Sequence, residues 1–145
     1  MDARDELLKL DNQLCFALVT AARNVVAIYR PILEPLGLTH PQYLVMLALW
    51  ERAPRALGEL ADELAMESAT LSPLVKRLEA QGLVTRARSA SDERVLELGL
   101  TDAGRALRAQ ALDVPGRVME ATGMSVAQVA AVRDGLAPFA GRRIA

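Results

Sequence analysis

Aromatic residues make up only 3% of this 145-residue chain, as one tryptophan, two tyrosines and two phenylalanines. The core therefore cannot rest on ring packing. Leu, Val and Ala must fill it, and Leu and Ala favour helix. Cysteine and histidine occur once each, as Cys15 and His40. One cysteine excludes an intramolecular disulfide, and the pair cannot supply the four ligands of a structural zinc site. No Ser/His/Asp grouping and no phosphate-cradling glycine loop stands out, so the expectation is a non-enzyme that needs no cofactor and no metal. The longest strongly apolar run, Tyr43 to Trp50, is too short to cross a bilayer. A basic leader followed by an apolar block is missing too. Residues 1–6 carry three acids and one base, which is not a signal peptide, and a cytoplasmic protein without a membrane partner is expected.

An excess of charge of one sign is also lacking, with a formal net charge of -1. Its distribution is less even. Residues 1–67 hold six bases and ten acids, residues 68–94 five and three, and residues 95–145 six and five. The middle segment is the one clearly basic stretch, as suits a local nucleic-acid face on a near-neutral body. The size is that of one ordinary domain.

What is present is a succession of short amphipathic helices. Leu14, Leu18, Val25, Ile28 and Ile32 follow helical spacing from about Leu10 to Leu33, while Cys15, Phe16, Val19, Ala22 and Val26 fill other faces of the same segment. A helix apolar nearly all round is buried all round, here against a second copy as well as its own domain. Pro31, Pro35 and Gly37 are expected to end it. A second helix starts near Pro41 and stops before Pro54, and Arg55-Ala56-Leu57 reads as a short strand. Leu57, Leu60, Ala61 and Leu64 share the i, i+3, i+4, i+7 spacing with Leu71, Leu74, Val75 and Leu78. Two such helices joined through Ala65-Met66-Glu67-Ser68 form a helix-turn-helix. Gly82 caps the second in a left-handed conformation. The stretches 83–88 and 95–100 alternate as a hairpin with the polar tip 89–93. Thr101 caps a long helix that Pro115 kinks, and a last helix runs from near Ser125 to about Phe139.

The expected fold is mainly helical with a small β-hairpin wing, in one domain over 1–145. Residues of about 41–100 form a winged helix-turn-helix, and those of about 10–36 and 101–145 form dimerisation helices. With Leu71, Leu74, Val75 and Leu78 inward, the outward face of the second short helix is Ala69, Ser72, Pro73, Lys76 and Ala80, flanked by Thr70 and Arg77. A recognition helix reads bases with its N-terminal part, so Ser68, Ala69, Thr70, Ser72, Pro73, Lys76 and Arg77 are candidate contacts to duplex DNA. The same pattern also fits an ordinary solvated helix. Pro73 costs nothing if Thr70 caps the helix, and one backbone bond if Ser68 does. Arg86, Arg88 and Arg94 gather bases on the hairpin, where Asp92 is placed to pair with Arg94 and hold the tip for the minor groove.

The stretches Gly82-Leu83-Val84-Thr85-Arg86, Ser91-Asp92-Glu93-Arg94-Val95 and Leu100-Thr101-Asp102-Ala103-Gly104 resemble the wing of the MarR family, and residues 68–79 resemble its recognition helix. The likeness spans nearly the whole chain. It implies a triangular helical homodimer that binds a pseudo-palindromic DNA operator, usually as a repressor. Within the family, residues 14–18 and 38–47 resemble the OhrR-like branch, which senses organic hydroperoxide. That likeness implies a redox sensor in which Cys15 is oxidised to a sulfenic acid during oxidative stress. Without a second cysteine, the product is a mixed disulfide with a low-molecular-weight thiol, a cyclic sulfenamide or an over-oxidised cysteine. Read from the residues alone, a free cysteine on an apolar helix is usually a small core residue.

Tyr29 lies about 21 Å along the same helix from Cys15, so it can meet only the partner copy's cysteine in a crossed or antiparallel dimer. The resemblance gives Tyr29 that role. Where the family carries further tyrosines this chain has His40 and Val19. His40 can donate a hydrogen bond and, if protonated, would lower the thiol pKa. It is also a plain helix-entry residue. Two rival readings stand beside this one. A small aromatic or anionic ligand held by Arg23, Arg30 or His40 could replace oxidation as the signal, or the winged domain could serve protein association alone.

Overall fold

Helix α3, His40–Glu51, begins where Thr39 closes a capping box. The Thr39 hydroxyl accepts from the Gln42 amide at 3.4 Å, and the Gln42 side chain accepts from the Thr39 amide at 3.0 Å. Its apolar side, with Tyr43, Val45, Met46 and Leu49 at 4% exposure or less, forms the centre of the core. The computed structural model describes residues 2–139. Ahead of α3 stand α1 (Ala3–Leu7), a 3-10 turn (Leu10–Asn12) and the long α2 (Leu14–Leu33). After it come β1 (Arg55–Ala56), α4 (Leu57–Glu63), α5 (Ser68–Ala80), β2 (Val84–Arg88), β3 (Leu96–Leu100), α6 (Asp102–Ala111), α7 (Val114–Thr122), α8 (Val126–Gly135) and a closing 3-10 turn, Ala137–Phe139.

The three strands form one antiparallel sheet in the order β1-β3-β2, with Arg55 opposite Leu98 and Arg86 opposite Leu98 from the other side. Leu60 from α4, Leu71, Val75 and Leu78 from α5, Val84 from β2 and Leu98 from β3 are almost fully buried with Met46 and Leu49. Each such side chain contributes about 1.5–3 kcal/mol relative to exposure, so this apolar seam sets the α4–α5 angle and seats the hairpin. Ala65, at φ 54, turns the chain between α4 and α5. Gly82, at φ 77, follows the end of α5 in the left-handed conformation. Arg55 is buried. It donates to the carbonyls of Ala48 and Arg52 and pairs with Glu63, tying β1 to the end of α3 and to α4.

The start of α6 is pinned to the end of α5. The Thr101 hydroxyl accepts from the Gly104 amide at 3.0 Å and donates to the Gly82 carbonyl at 2.6 Å, while Trp50 Nε1 donates to the Gly104 carbonyl at 2.9 Å. A Cβ on Gly104 would collide with the Leu83 carbonyl oxygen, so the close approach requires glycine.

Several expectations need correction. The first helical pattern is broken at Gln13, and α2 starts at Leu14, preceded by a separate short α1. Pro31 lies inside α2, which runs on to Leu33. It removes one bond to the Ala27 carbonyl without stopping the helix. The C-terminal helices are not reserved for a partner, because Leu107, Ala111, Val114 and Val118 belong to the chain's own core and α7 packs on α2. The chain breaks between α6 and α7, where a kink at Pro115 was expected, and Pro115 sits in the first turn of α7. Residues 140–145 of the expected dimerisation region lie outside the described residues.

Helix α2, expected to be buried against a second copy as well as its own domain, is largely uncovered within one chain. It is apolar over most of its circumference, yet within one chain Leu33 is its sole buried residue. Leu14, Phe16, Val19 and Val25 are 40–59% exposed, and α8 exposes Val126, Val129 and Val132. The segment Leu14–Leu36 is also long and apolar enough, by length and composition, to cross a membrane. Tyr43–Trp50, expected to be the longest strongly apolar run, is much shorter than this segment.

Candidate nucleic-acid interface and cysteine site

Helix α5 presents the face read from its spacing. Ser68, Ala69, Thr70, Pro73, Lys76 and Arg77 are exposed, Ser72 is half-buried, and Leu71, Val75 and Leu78 are buried beneath them. Leu74, expected inward, is half-buried. The helix begins earlier than either cap considered for Pro73. Glu67 occupies the cap position without a side-chain hydrogen bond to the first turn. Pro73 is thus an interior residue, and its missing N–H leaves the Ala69 carbonyl without an intrahelical donor. Lys76 is exposed and has no ion pair among the described residues. Arg77, likewise exposed and without an ion pair among the described residues, is the second free positive charge on this face.

The hairpin holds its tip as expected. One Asp92 carboxylate oxygen accepts from the Arg94 amide at 3.0 Å and from Arg94 Nε at 3.2 Å. These bonds hold the Asp92 carboxyl below the usual carboxylate range, the backbone bond contributing most and the side-chain bond next. The Arg94 side chain is 91% exposed, so its charge projects while its base is fixed. Arg88 is exposed as well. Arg86 does not join them as an outward base. It shares a face with Leu98, is half-buried, and donates to Glu79 of α5 at 3.1 Å. Its Nε is buried with no hydrogen-bond partner among the described residues. Of the three hairpin arginines, Arg88 has no ion pair among the described residues, Arg94 projects while paired with Asp92, and Arg86 is tied to the reading helix. Glu79 was missed because nothing in the periodicity of α5 marks a partner across the α5–β2 turn.

Cys15 is exposed on the first turn of α2, among uncovered apolar side chains. Tyr29 and His40 come together at the far end of α2, with ring centroids 4.8 Å apart. Tyr43 joins them at 5.9 Å from Tyr29. This third ring was not singled out from the sequence, although its place three residues after His40 on one helix was a usable signal. Burial lowers the His40 pKa, raises that of Tyr29, and, with the charge of Tyr29, raises that of Tyr43. Burial thus disfavours the charged imidazole and weighs against the charged role that the sequence allowed for His40. The cluster offers neutral donors. Beside it a cavity of about 570 Å³ is lined by Val26, Arg30, Glu34, Leu38, Thr39 and His40 among others. Arg30 and His40 reach it, and Arg23 does not line it. Among the described residues no cluster of His, Cys, Asp or Glu could hold a metal.

Comparison with known proteins accounts for this arrangement. Residues 27–110 match the family described as "Transcriptional regulator SarA/Rot". The chain is 41% identical over 119 residues to the organic hydroperoxide resistance transcriptional regulator of Bacillus subtilis (strain 168), covering 82% of this chain and 81% of that protein. It is 45% identical over 134 residues to the HTH-type transcriptional regulator TtmR of Methylorubrum extorquens (strain PA1), covering 92% and 69%. Overoxidised AbfR bound to DNA, a structure of the Staphylococcus epidermidis protein, superposes with a TM-score of 0.75 at 34% identity, covering 94% of this chain and 96% of that one. The α4–α5 pair with its β2–β3 wing is the helix-turn-helix these regulators share, and the chain belongs to the MarR family of winged-helix transcriptional regulators.

Proposed function

We propose that this protein is a homodimeric, cytoplasmic repressor that leaves its DNA operator when organic hydroperoxide oxidises Cys15, and that it is not an enzyme. The observation that carries the proposal is the presence of two features at opposite ends of α2, the second shared with the first turn of α3. Cys15 stands exposed at one end of α2 without donors of its own, and Tyr29 with His40 forms a donor cluster at the other end. Two copies with α2 helices crossed or antiparallel bring each cysteine to the partner's cluster. The same arrangement covers Leu14, Phe16, Val19 and the exposed side of α8, which explains why so apolar a helix is bare in one chain and assigns it to a protein interface instead of a bilayer. The likeness to the Bacillus subtilis hydroperoxide regulator and to oxidised, DNA-bound AbfR supports this reading.

Neutral Tyr29 and His40 favour the thiolate by hydrogen bonding alone. The thiolate attacks the terminal peroxide oxygen. An S–O bond forms, the O–O bond breaks, and the departing alkoxide takes a proton to become an alcohol. The resulting sulfenic acid condenses with a low-molecular-weight thiol, releasing water and leaving a mixed disulfide. A bulky or polar group at the dimer seam shifts the spacing of the two α5 helices, which otherwise enter successive major grooves about one DNA turn apart. The loss of simultaneous engagement then lowers affinity. Ser68, Ala69, Thr70, Ser72, Pro73, Lys76 and Arg77 read the major groove. Arg88 and Arg94 contact backbone and minor groove, and Asp92 orients Arg94.

The test pairs mass spectrometry of Cys15 with operator release after mild cumene hydroperoxide. A sulfenic acid or mixed disulfide appearing in step with release is expected, and Cys15→Ser should stay bound. Release of Cys15→Ser at the parent's peroxide dose would overturn the proposal. The cavity beside Arg30 and His40 favours a second reading, in which an aromatic carboxylate is the signal. Saturable binding of such an acid, with operator release and unchanged Cys15 reactivity, would select it.

A further inference from the structure

Segment 37–42 lies between the sensing cluster and the reading helix, and it touches both. His40 packs on Tyr29. Two residues on, the Gln42 side chain is 5% exposed, and its Nε2 donates to the Gln81 carbonyl oxygen, Oε1, at 3.2 Å. Gln81 Nε2 in turn donates to the Gly37 carbonyl at 2.8 Å. Gln81 closes α5, its own amide donating to the Arg77 carbonyl at 2.9 Å, and Gly82 follows with its carbonyl held by Thr101. The Gln42 carbonyl oxygen is already used by the Thr39 amide. Both ends of the Gln42 amide are therefore committed.

We propose that Gln42 and Gln81 are a positioning pair that couples the start of α3 to the end of the recognition helix. The proposal rests on the regulatory reading above and names the contact through which a change at the sensing end reaches α5. A displacement of segment 37–42 has two outcomes. Either Gln81 moves with it and rotates the last turn of α5, or a buried amide loses its partner, which is costly. The apolar contacts between α3 and α5 hold the two helices together but carry no such directional constraint. His40 of the same segment packs on Tyr29, which also meets Tyr43, and the cavity beside Arg30 opens on the segment too. Any event there acts on the residues that Gln81 grips.

The test uses the full chain with Gln81→Met, an exposed position that preserves length and removes both amide bonds. One readout is the ratio of operator affinity between reduced and cumene hydroperoxide-treated protein. The variant should bind operator when reduced within about threefold of the parent and oxidise Cys15 at the parent's rate. Its ratio should fall about 5- to 10-fold, the range set by one or two hydrogen bonds. Gln42→Met added to Gln81→Met should lower it no further. An unchanged ratio, or equal losses in binding and release, would overturn the coupling. The second readout does not depend on what the signal is. His40→Gln should alter amide hydrogen exchange at residues 78–82 in the parent and leave it unaltered in Gln81→Met. No propagation in the parent would overturn the bridge even if Cys15 sensing holds. A parent that never releases DNA, with propagation intact, would overturn the sensing reading alone.

Discussion

Lys76 is the charge on which the DNA-reading account is most exposed to test. It projects from the middle of α5, carries no ion pair among the described residues, and stands over the buried Leu71–Val75–Leu78 seam that fixes the helix. Lys76→Ala therefore removes a free charge without disturbing the core. Each phosphate neutralised contributes about 0.9 to the slope of log affinity against log salt, so losing one contact per copy should reduce a dimer's slope by about 1.8. Between about 50 and 200 mM salt, a fourfold change, the variant should then lose about 12-fold less affinity than the parent. Fluorescence anisotropy with a labelled operator duplex over that range measures both slopes. Arg86→Ala supplies the contrast. Its charge is shared with Glu79 at 3.1 Å and the side chain is half-buried, so its slope change should be smaller than that of Lys76→Ala. An unchanged slope for Lys76→Ala, with the parent binding normally, would refute the placement of α5 against the duplex.

Gly104→Ala should destabilise the fold although alanine is the better helix former, because the new methyl meets the Leu83 carbonyl at the α5–α6 junction. A cost of about 1–3 kcal/mol corresponds to a Tm lowered by about 3 to 9 °C in calorimetry, and an unchanged or raised Tm would contradict the close approach. His40 gives a pH dependence with a defined sign. Burial lowers its pKa, so below about pH 6.5 the unfolded chain takes up a proton that the folded chain resists. His40's contribution to stability is therefore full above that pH and is lost as pH falls toward the depressed folded value. Urea midpoints at pH 7.5 and 5.5 should differ more for the parent than for His40→Gln, and equal differences would argue against a buried neutral imidazole.

The winged helix-turn-helix was legible because its signals are local. The spacing of Leu71, Val75 and Leu78, the left-handed Gly82, the alternation along β2 and β3, and the Asp92–Arg94 pair each depend on residues a few positions apart. Three features were not legible, each for a physical reason. Periodicity assigns α2 to burial against a second copy as well as its own domain, but it cannot show how little of the helix its own domain covers. Alternation puts Arg86 on the same face as Val84 and Leu98, but only the packing of β2 on α5 shows that Glu79 waits there. The protonation of His40 depends on rings that fold around it from α2 and from its own helix, so sequence position could not set its charge. Pro31 and Pro73 teach a related lesson. Each sits inside a helix whose packing outweighs one missing backbone bond.

In the proposed mode of action, two copies of this chain place two α5 helices on one duplex. Sedimentation velocity of the reduced protein, alone and with an operator duplex selected from a random-sequence pool, measures this directly. A dimer at micromolar concentration and a complex of two chains per duplex is the expected result. A monomer that binds one chain per duplex at full affinity would contradict it.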